Sequence, residues 1–222
     1  MYKAFEGFDN NLIIVGVSDW ISERAKQSKI LSGKKTTTVL NGLDTNIFNS
    51  LYSEPQLIRK LKEDGKKVLL HVTPYFEDDN KGGKWILDLA EKLEKEKVQF
   101  IVIGKTEKEY KINNISFLGE IKDPKMLASF YAKSDLTLLT SKRETFSMIC
   151  AESLCCGTPV IGFRAGAPER IALKEYSDFV QYGDLNSLKE KIMAWLKKPI
   201  QCLEISEKPM KVYSKREWEK II

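Results

Sequence analysis

Apolar residues along this chain follow two spacings in alternation. Short continuous apolar runs read as buried strands: Val68–Val72, Val98–Ile103, Ile115–Leu118, Leu136–Leu139 and Val160–Phe163, with Phe179–Gln181 as a brief last one. Between them the apolar positions recur every three or four residues and read as helices. Gly83–Glu96 sets Trp85, Ile86, Leu89 and Leu93 on one face, and Leu185–Lys197 turns Leu188, Ile192 and Trp195 inward. Pro124–Ala132 is led by proline at its first turn, and Phe146–Cys155 is a further helix. Such alternation predicts an α/β domain built on a right-handed, doubly wound parallel sheet.

The two ends follow other patterns. Leu12–Val17 is apolar, Asp19–Lys29 reads as a helix and Thr36–Leu40 as a β-rich stretch, closed by an Asn41-Gly42 turn. Gln201–Pro209 is polar and reads as loop, and Tyr213–Ile222 as a short charged helix containing Trp218. No internal repeat or low-complexity tract interrupts the chain.

Composition narrows the function classes. With 222 residues there is room for one ordinary domain with appendages. A content of 42% hydrophobic and 30% charged residues describes a globular protein. No apolar run approaches the roughly 20 residues that span a membrane. The opening Met1–Asp9 lacks the apolar core of a signal peptide, so cytoplasmic residence is the expectation. Four cysteines without a CxxC pair, and the single histidine His71 expected at a strand end, point to buried reduced thiols and not to a zinc site. The net charge of +5 is spread as lysines among glutamates, which solvates helix faces. No arginine-rich patch with interleaved aromatics argues for nucleic acid. Peripheral contact with anionic lipid at the inner face of a membrane is permitted by the charge.

The chemistry concentrates in Glu144-Thr-Phe-Ser-Met-Ile-Cys-Ala-Glu152, followed by Ser153-Leu-Cys-Cys-Gly157-Thr-Pro-Val-Ile161. Strand, charged loop, helix, Gly-Thr-Pro turn and strand follow one another, as in sheets that bind ligands at their strand ends. Thr145, Phe146 and Ser147 would present backbone N–H groups at a helix N-terminus, a natural seat for phosphate. A carboxylate on either side repels phosphate, so Glu144 and Glu152 are expected to meet hydroxyl groups at the two ends of a ligand such as a nucleotide sugar. Eight positions of continuous helix advance about 12 Å, beyond the separation of a hydrolytic carboxylate pair. A bland alternative makes Glu144 a helix cap and Glu152 a solvated helix residue.

The ordered set of motifs resembles the donor-binding region of GT-B glycosyltransferases, in particular glycosyltransferase family 4. Ser134-Asp135, Leu136–Leu139, Ser141, Glu144–Glu152 and Gly157–Ile161 resemble its Glu-x7-Glu region in the C-terminal of two Rossmann-like domains. Asn41–Thr45 with Phe48 is similar to its interdomain linker, Lys81-Gly82 to its phosphate-binding element, Ile115–Gly119 to its base-side loop, and Gly166–Glu169 to its Gly-rich turn. The match runs over roughly residues 12 to 182.

The resemblance implies that residues 1–44 are the remnant of an N-terminal acceptor domain with its linker, 45–200 the nucleotide-sugar-binding domain and 201–222 a tail. It assigns Glu152 to the ribose hydroxyls and Glu144 to the transferred sugar as the catalytic carboxylate. Lys81, Gly82, Thr145, Phe146 and Ser147 would hold the diphosphate, and Gly119, Glu120 and Ile121 the base. It further implies a retaining hexosyltransferase of polysaccharide biosynthesis. That enzyme would use a UDP- or GDP-linked donor, a glycan or lipid-linked acceptor and no metal, cofactor or nucleic acid. No Asp-x-Asp motif lies near these loops.

Two departures stand out. His71-Val-Thr-Pro74 replaces the family's Gly-Arg step, leaving Arg143 as a candidate substitute, and Ser147 stands where glycine is frequent. The acceptor domain is expected to be missing, so the isolated chain is expected to transfer no sugar. The alternative is a non-catalytic nucleotide-sugar-binding or degenerate module that pairs with another chain.

Overall fold

The computed structural model describes residues 12–198 and 202–214. Its centre is a six-stranded, wholly parallel sheet in the order β5-β4-β3-β6-β7-β8. The strands are β3 (Lys67–Tyr75), β4 (Val98–Lys105), β5 (Ile115–Phe117), β6 (Leu136–Leu139), β7 (Val160–Phe163) and β8 (Ser177–Val180). Parallel strands buried on both faces favour near-continuous apolar runs, broken here by the buried His71, Gln99 and Thr137. Val68 and Leu70 point to one apolar layer and Leu69 between them to the other, the period of two that a pleated strand dictates.

Helices cover both faces. One layer holds α3 (Gly83–Lys92) and α7 (Leu185–Leu196), whose Ile86, Leu89, Leu188 and Ile192 are fully buried. The other holds α2 (Gln56–Glu63), α4 (Pro124–Lys133), α5 (Met148–Cys155) and α8 (Cys202–Tyr213), with a short turn of helix α6 (Pro168–Ile171) beside it. Cys150, Cys155 and Cys156 are buried free thiols in that layer, as expected. Ahead of the sheet, β1 (Ile13–Gly16), α1 (Asp19–Gln27) and β2 (Lys35–Thr38) form a β-α-β unit whose two strands pair parallel with each other.

The chain runs β3, β4, β5 toward one edge, then returns to the other side of β3 and continues β6, β7, β8 toward the opposite edge. The reversal leaves a crevice beyond the carboxyl ends of β3 and β6, where open α/β sheets bind ligands. The loop after β3 carries Lys81, and the loop after β6 carries Glu144.

Four expectations need correction. His71 lies within β3 and does not end it, because the strand runs on to Tyr75 through a register irregularity that follows Val72. The motif helix starts at Met148 and not at Phe146, since Ser147 has a left-handed backbone (φ 78°, ψ 87°) that no helix continues through. The 12 Å argument therefore does not apply to Glu144, which stands outside the helix. The last strand is Ser177–Val180 and not Phe179–Gln181.

The fourth correction concerns Gln201–Pro209, which is not a loop: α8 runs through it with Pro209 inside. Proline within a helix forfeits a hydrogen bond and costs about 3 kcal/mol. The loss is offset by a buried stripe, Ile205, Ser206, Pro209 and Tyr213, that packs on α5. Ser206 Oγ donates to the Cys155 carbonyl at 2.8 Å, and the Tyr213 hydroxyl donates to the Ile171 carbonyl. Trp218 and the rest of the expected terminal helix lie outside the described residues.

Candidate functional site

The loops after β3 and β6 are stitched together. The Lys142 N–H donates to the Asn80 carbonyl at 2.8 Å, and Asn80 Nδ2 donates back to the Arg143 carbonyl at 3.2 Å. The Thr140 hydroxyl sits 3.2 Å from the Lys81 carbonyl and 3.0 Å from that of Gly82. Gly82 caps α3 with φ 73°, and a Cβ there would come within 2.2 Å of the Thr140 carbonyl oxygen. Only glycine permits both the backbone angle and the approach. The sequence-predicted Lys81-Gly82 element is thereby fixed directly across from Glu144.

Lys81 Nζ and Glu144 Oε1 form an ion pair at 2.8 Å, with side chains 23% and 13% exposed. Glu144 is held from behind by its backbone, which bridges to the turn after β7: its N–H donates to the Ala165 carbonyl at 2.9 Å, and its carbonyl accepts from Ala167. Glu169 secures that turn by accepting from the N–H groups of Ala165 and Gly166. So the Gly166–Glu169 motif positions the Glu144 backbone.

Beyond Glu144 the backbone N–H groups of Thr145, Phe146 and Ser147 have no hydrogen-bond partner among the described residues. They lie at the N-terminal end of α5, where the helix dipole is positive. The Phe146 side chain contributes nothing polar; it is buried edge-on against Tyr213, ring centroids 6.2 Å apart. The Ser147 hydroxyl accepts from Cys150 N at 3.4 Å and caps the helix. Ser147 is also the one non-glycine with positive φ among the described residues, a strained state that persists at functional positions. Neither the cap role of Glu144 nor the solvated role of Glu152 survives: Ser147 is the cap, and Glu152 is partly buried against Tyr131.

Glu152 lies on the partly exposed face of α5, with Met148 and Ile149. The Tyr131 hydroxyl donates to its Oε2 at 3.0 Å. Burial lifts the Glu152 carboxyl above the usual carboxylate range, and the Tyr131 hydrogen bond draws it partway back. Of the residues expected on the base side, Gly119 is left-handed (φ 71°) and its carbonyl accepts from Gly104 N at 2.9 Å. Glu120 is exposed and pairs loosely with Lys105 at 3.6 Å, and Ile121 packs into the α4–α5 layer. Arg143, the proposed substitute cation, is exposed beside the crevice.

Sequence reasoning missed the contribution of the first β-α-β unit. Ser18, fully buried at the start of α1, donates through Oγ to the Thr145 carbonyl at 2.6 Å. The Trp20 ring lies against Gly166, where a Cβ would come within 2.6 Å of it. A serine directly before the Asp19 helix is a residue type that caps helices, and Ser18 does so, but its long-range partner carries no sequence signal. A cavity of about 750 Å³ between the linker motif and α8, lined by residues including Leu43, Asn46 and Met210, holds none of the candidate donor-site residues.

The parallel sheet that reverses between β3 and β6 has the architecture of the C-terminal Rossmann-like domain of GT-B glycosyltransferases. The family model for Glycosyl transferases group 1 matches residues 66–198, more than half of the chain, and the chain belongs to that family. N-acetyl-alpha-D-glucosaminyl L-malate synthase from Bacillus anthracis is 30% identical over 112 residues, half of this chain and 29% of that protein. A glycosyltransferase from Rickettsia africae superposes with a TM-score of 0.79 at 16% identity, covering 99% of this chain and 64% of its own. Anabaena HepE in complex with UDP and glucose superposes with a TM-score of 0.71 at 18% identity, covering 96% and 62%. The chain thus spans less than two thirds of each of these proteins. Among the described residues no helix is long and apolar enough to cross a membrane.

Proposed function

We propose that this chain is the donor-binding part of a retaining glycosyltransferase that moves a hexosyl group from a UDP- or GDP-linked sugar to a glycan or lipid-linked acceptor. The observation that carries the reading is the row of unpaired N–H groups at Thr145–Ser147, across the crevice from Lys81 and flanked by Glu144 and Glu152. Diphosphate oxygens accept from those N–H groups and from Lys81, and the same contacts stabilise the charge that grows on the leaving diphosphate. Glu144 accepts from hydroxyls of the transferred sugar and Glu152 from the ribose. The left-handed Gly119 turn offers main-chain groups to the base. That HepE was crystallised with UDP and glucose supports a uridine donor.

Transfer also needs an acceptor held over the anomeric carbon, and proximity of that kind supplies a large share of catalysis. By the family resemblance the acceptor surface belongs to the other, N-terminal Rossmann-like domain, and the donor-binding domain tested by itself is expected to bind donor without turnover.

Calorimetric titration with UDP, GDP and ADP, each with and without EDTA, tests the reading. Binding of UDP or GDP that survives EDTA is expected. Binding of none, or binding abolished by EDTA, would overturn it.

A further inference from the structure

Glu152 has an asymmetric environment. Its Oε2 is occupied by the Tyr131 hydroxyl at 3.0 Å, whereas its Oε1 has no hydrogen bond among the described residues and is not fully buried by them. One oxygen is held, and the other is open to a ligand. No ion pair reaches Glu152 among the described residues. Its other titratable neighbours are the thiols of Cys155 and Cys156, which burial pushes up and keeps neutral.

Tyr131 is itself locked in place. It is fully buried on α4, its carbonyl accepts from the Thr158 hydroxyl, and Phe48 of the linker meets its ring edge-on at 6.5 Å. A residue fixed on three sides can hold a carboxylate rotamer at little further entropic cost. A tyrosine does so without neutralising the carboxylate, as a lysine in that place would. The negative charge matters because hydrogen bonds to a charged acceptor are roughly twice as strong as neutral ones.

We propose that Tyr131 is a positioning residue of the donor site: it holds Glu152 by Oε2 so that Oε1 faces the ribose hydroxyls. The inference rests on the assignment of Glu152 to the ribose. It has a consequence in pH as well as in affinity. The ionised carboxylate is the form that accepts from hydroxyls, and burial already favours the neutral form. Without the tyrosine hydroxyl the carboxyl rises further, so a Tyr131→Phe chain loses affinity at a higher pH than the parent as the pH falls.

The test titrates the full chain, its Tyr131→Phe and Glu152→Gln variants and the double variant with UDP and with 2′,3′-dideoxy-UDP, between about pH 8 and about pH 5.5. Tyr131→Phe is expected to weaken UDP about tenfold, the worth of one hydrogen bond to a charged group. It should leave dideoxy-UDP unchanged, lose its effect in the Glu152→Gln background and move the pH midpoint upward. 3-Fluorotyrosine placed at position 131, a stronger donor of nearly the same size, is expected to move the midpoint downward, and it keeps the test available if removing the hydroxyl unfolds the chain. Equal losses for both ligands, an undiminished effect in the Glu152→Gln background, or a midpoint indifferent to fluorination would overturn the inference. UDP binding sensitive to Glu152 but not to Tyr131 sinks the inference alone; absence of UDP binding by the parent sinks the functional reading with it.

Discussion

Glu144→Gln should strengthen binding of a bare nucleoside diphosphate while weakening the preference for the full nucleotide sugar. Lys81 is engaged at 2.8 Å by the carboxylate that also borders the proposed phosphate seat. A diphosphate must draw Lys81 away from that partner and then sit near an uncompensated negative charge. At an effective dielectric of about 20, two unit charges about 6 Å apart interact by roughly 3 kcal/mol, and partial solvent access reduces this. A net gain of about 1.4 kcal/mol, or tenfold in affinity for UDP, is the expected size.

With the sugar attached, the same substitution weakens a hydrogen bond between a sugar hydroxyl and a charged acceptor, worth about 1.5–3 kcal/mol, and the gain is cancelled or reversed. Calorimetry of both ligands at low and moderate salt reads the two affinities, and the UDP gain should shrink as salt rises. A thermal melt separates this from loss of the ion pair, which is expected to cost less than about 1 kcal/mol. If Glu144→Gln weakened UDP and UDP-sugar by the same factor, the carboxylate would have no sugar-specific role and the reasoning would fail.

Two further outcomes follow from strain and burial. Ser147→Gly relieves a left-handed serine costing about 1–2 kcal/mol and forfeits only a few tenths of capping energy. The melting temperature should therefore rise by a few degrees; a fall would show that the serine hydroxyl holds more than the 3.4 Å cap. His71 is buried with its Nε2 unpaired, and burial lowers its pKa from 6.5 to about 4. The unfolded chain binds the proton more readily, so stability is full above about pH 6.5 and about 3 kcal/mol is lost as pH falls to about 4. Urea midpoints near pH 7 and near pH 4.5 should thus differ less in His71→Leu than in the parent; an unchanged difference would refute the assignment.

What was legible in the chain follows from which forces are local. β6 and β7 match the apolar runs Leu136–Leu139 and Val160–Phe163 residue for residue, because strands buried on both faces tolerate little else. Lys81-Gly82 and the Glu144–Glu152 segment stand out in the sequence through their resemblance to the family's motifs, and the structure brings Lys81 to Glu144 at 2.8 Å. α2 carries little sequence signal: only Ile58 and Leu61 of its eight residues are buried, and Pro55 provides no side-chain cap. The polarity of Gln201–Pro209 points to a loop, whereas packing on α5 makes it helix even with Pro209 inside. The Ser18–Thr145 and Tyr131–Glu152 hydrogen bonds span 127 and 21 positions, and only the folded sheet brings such residues together.

The central claim is that a nucleoside diphosphate sits in the crevice between β3 and β6 on the N–H groups of Thr145–Ser147. A titration of ¹⁵N-labelled chain with UDP, followed by amide resonances, tests it most directly. The account predicts that the largest shifts fall on Thr145, Phe146, Ser147 and the Lys81–Gly83 amides, with smaller ones at Gly119 and Glu120. Shifts that leave Thr145–Ser147 untouched and gather at the Leu43–Asn46 linker and α8 would contradict it.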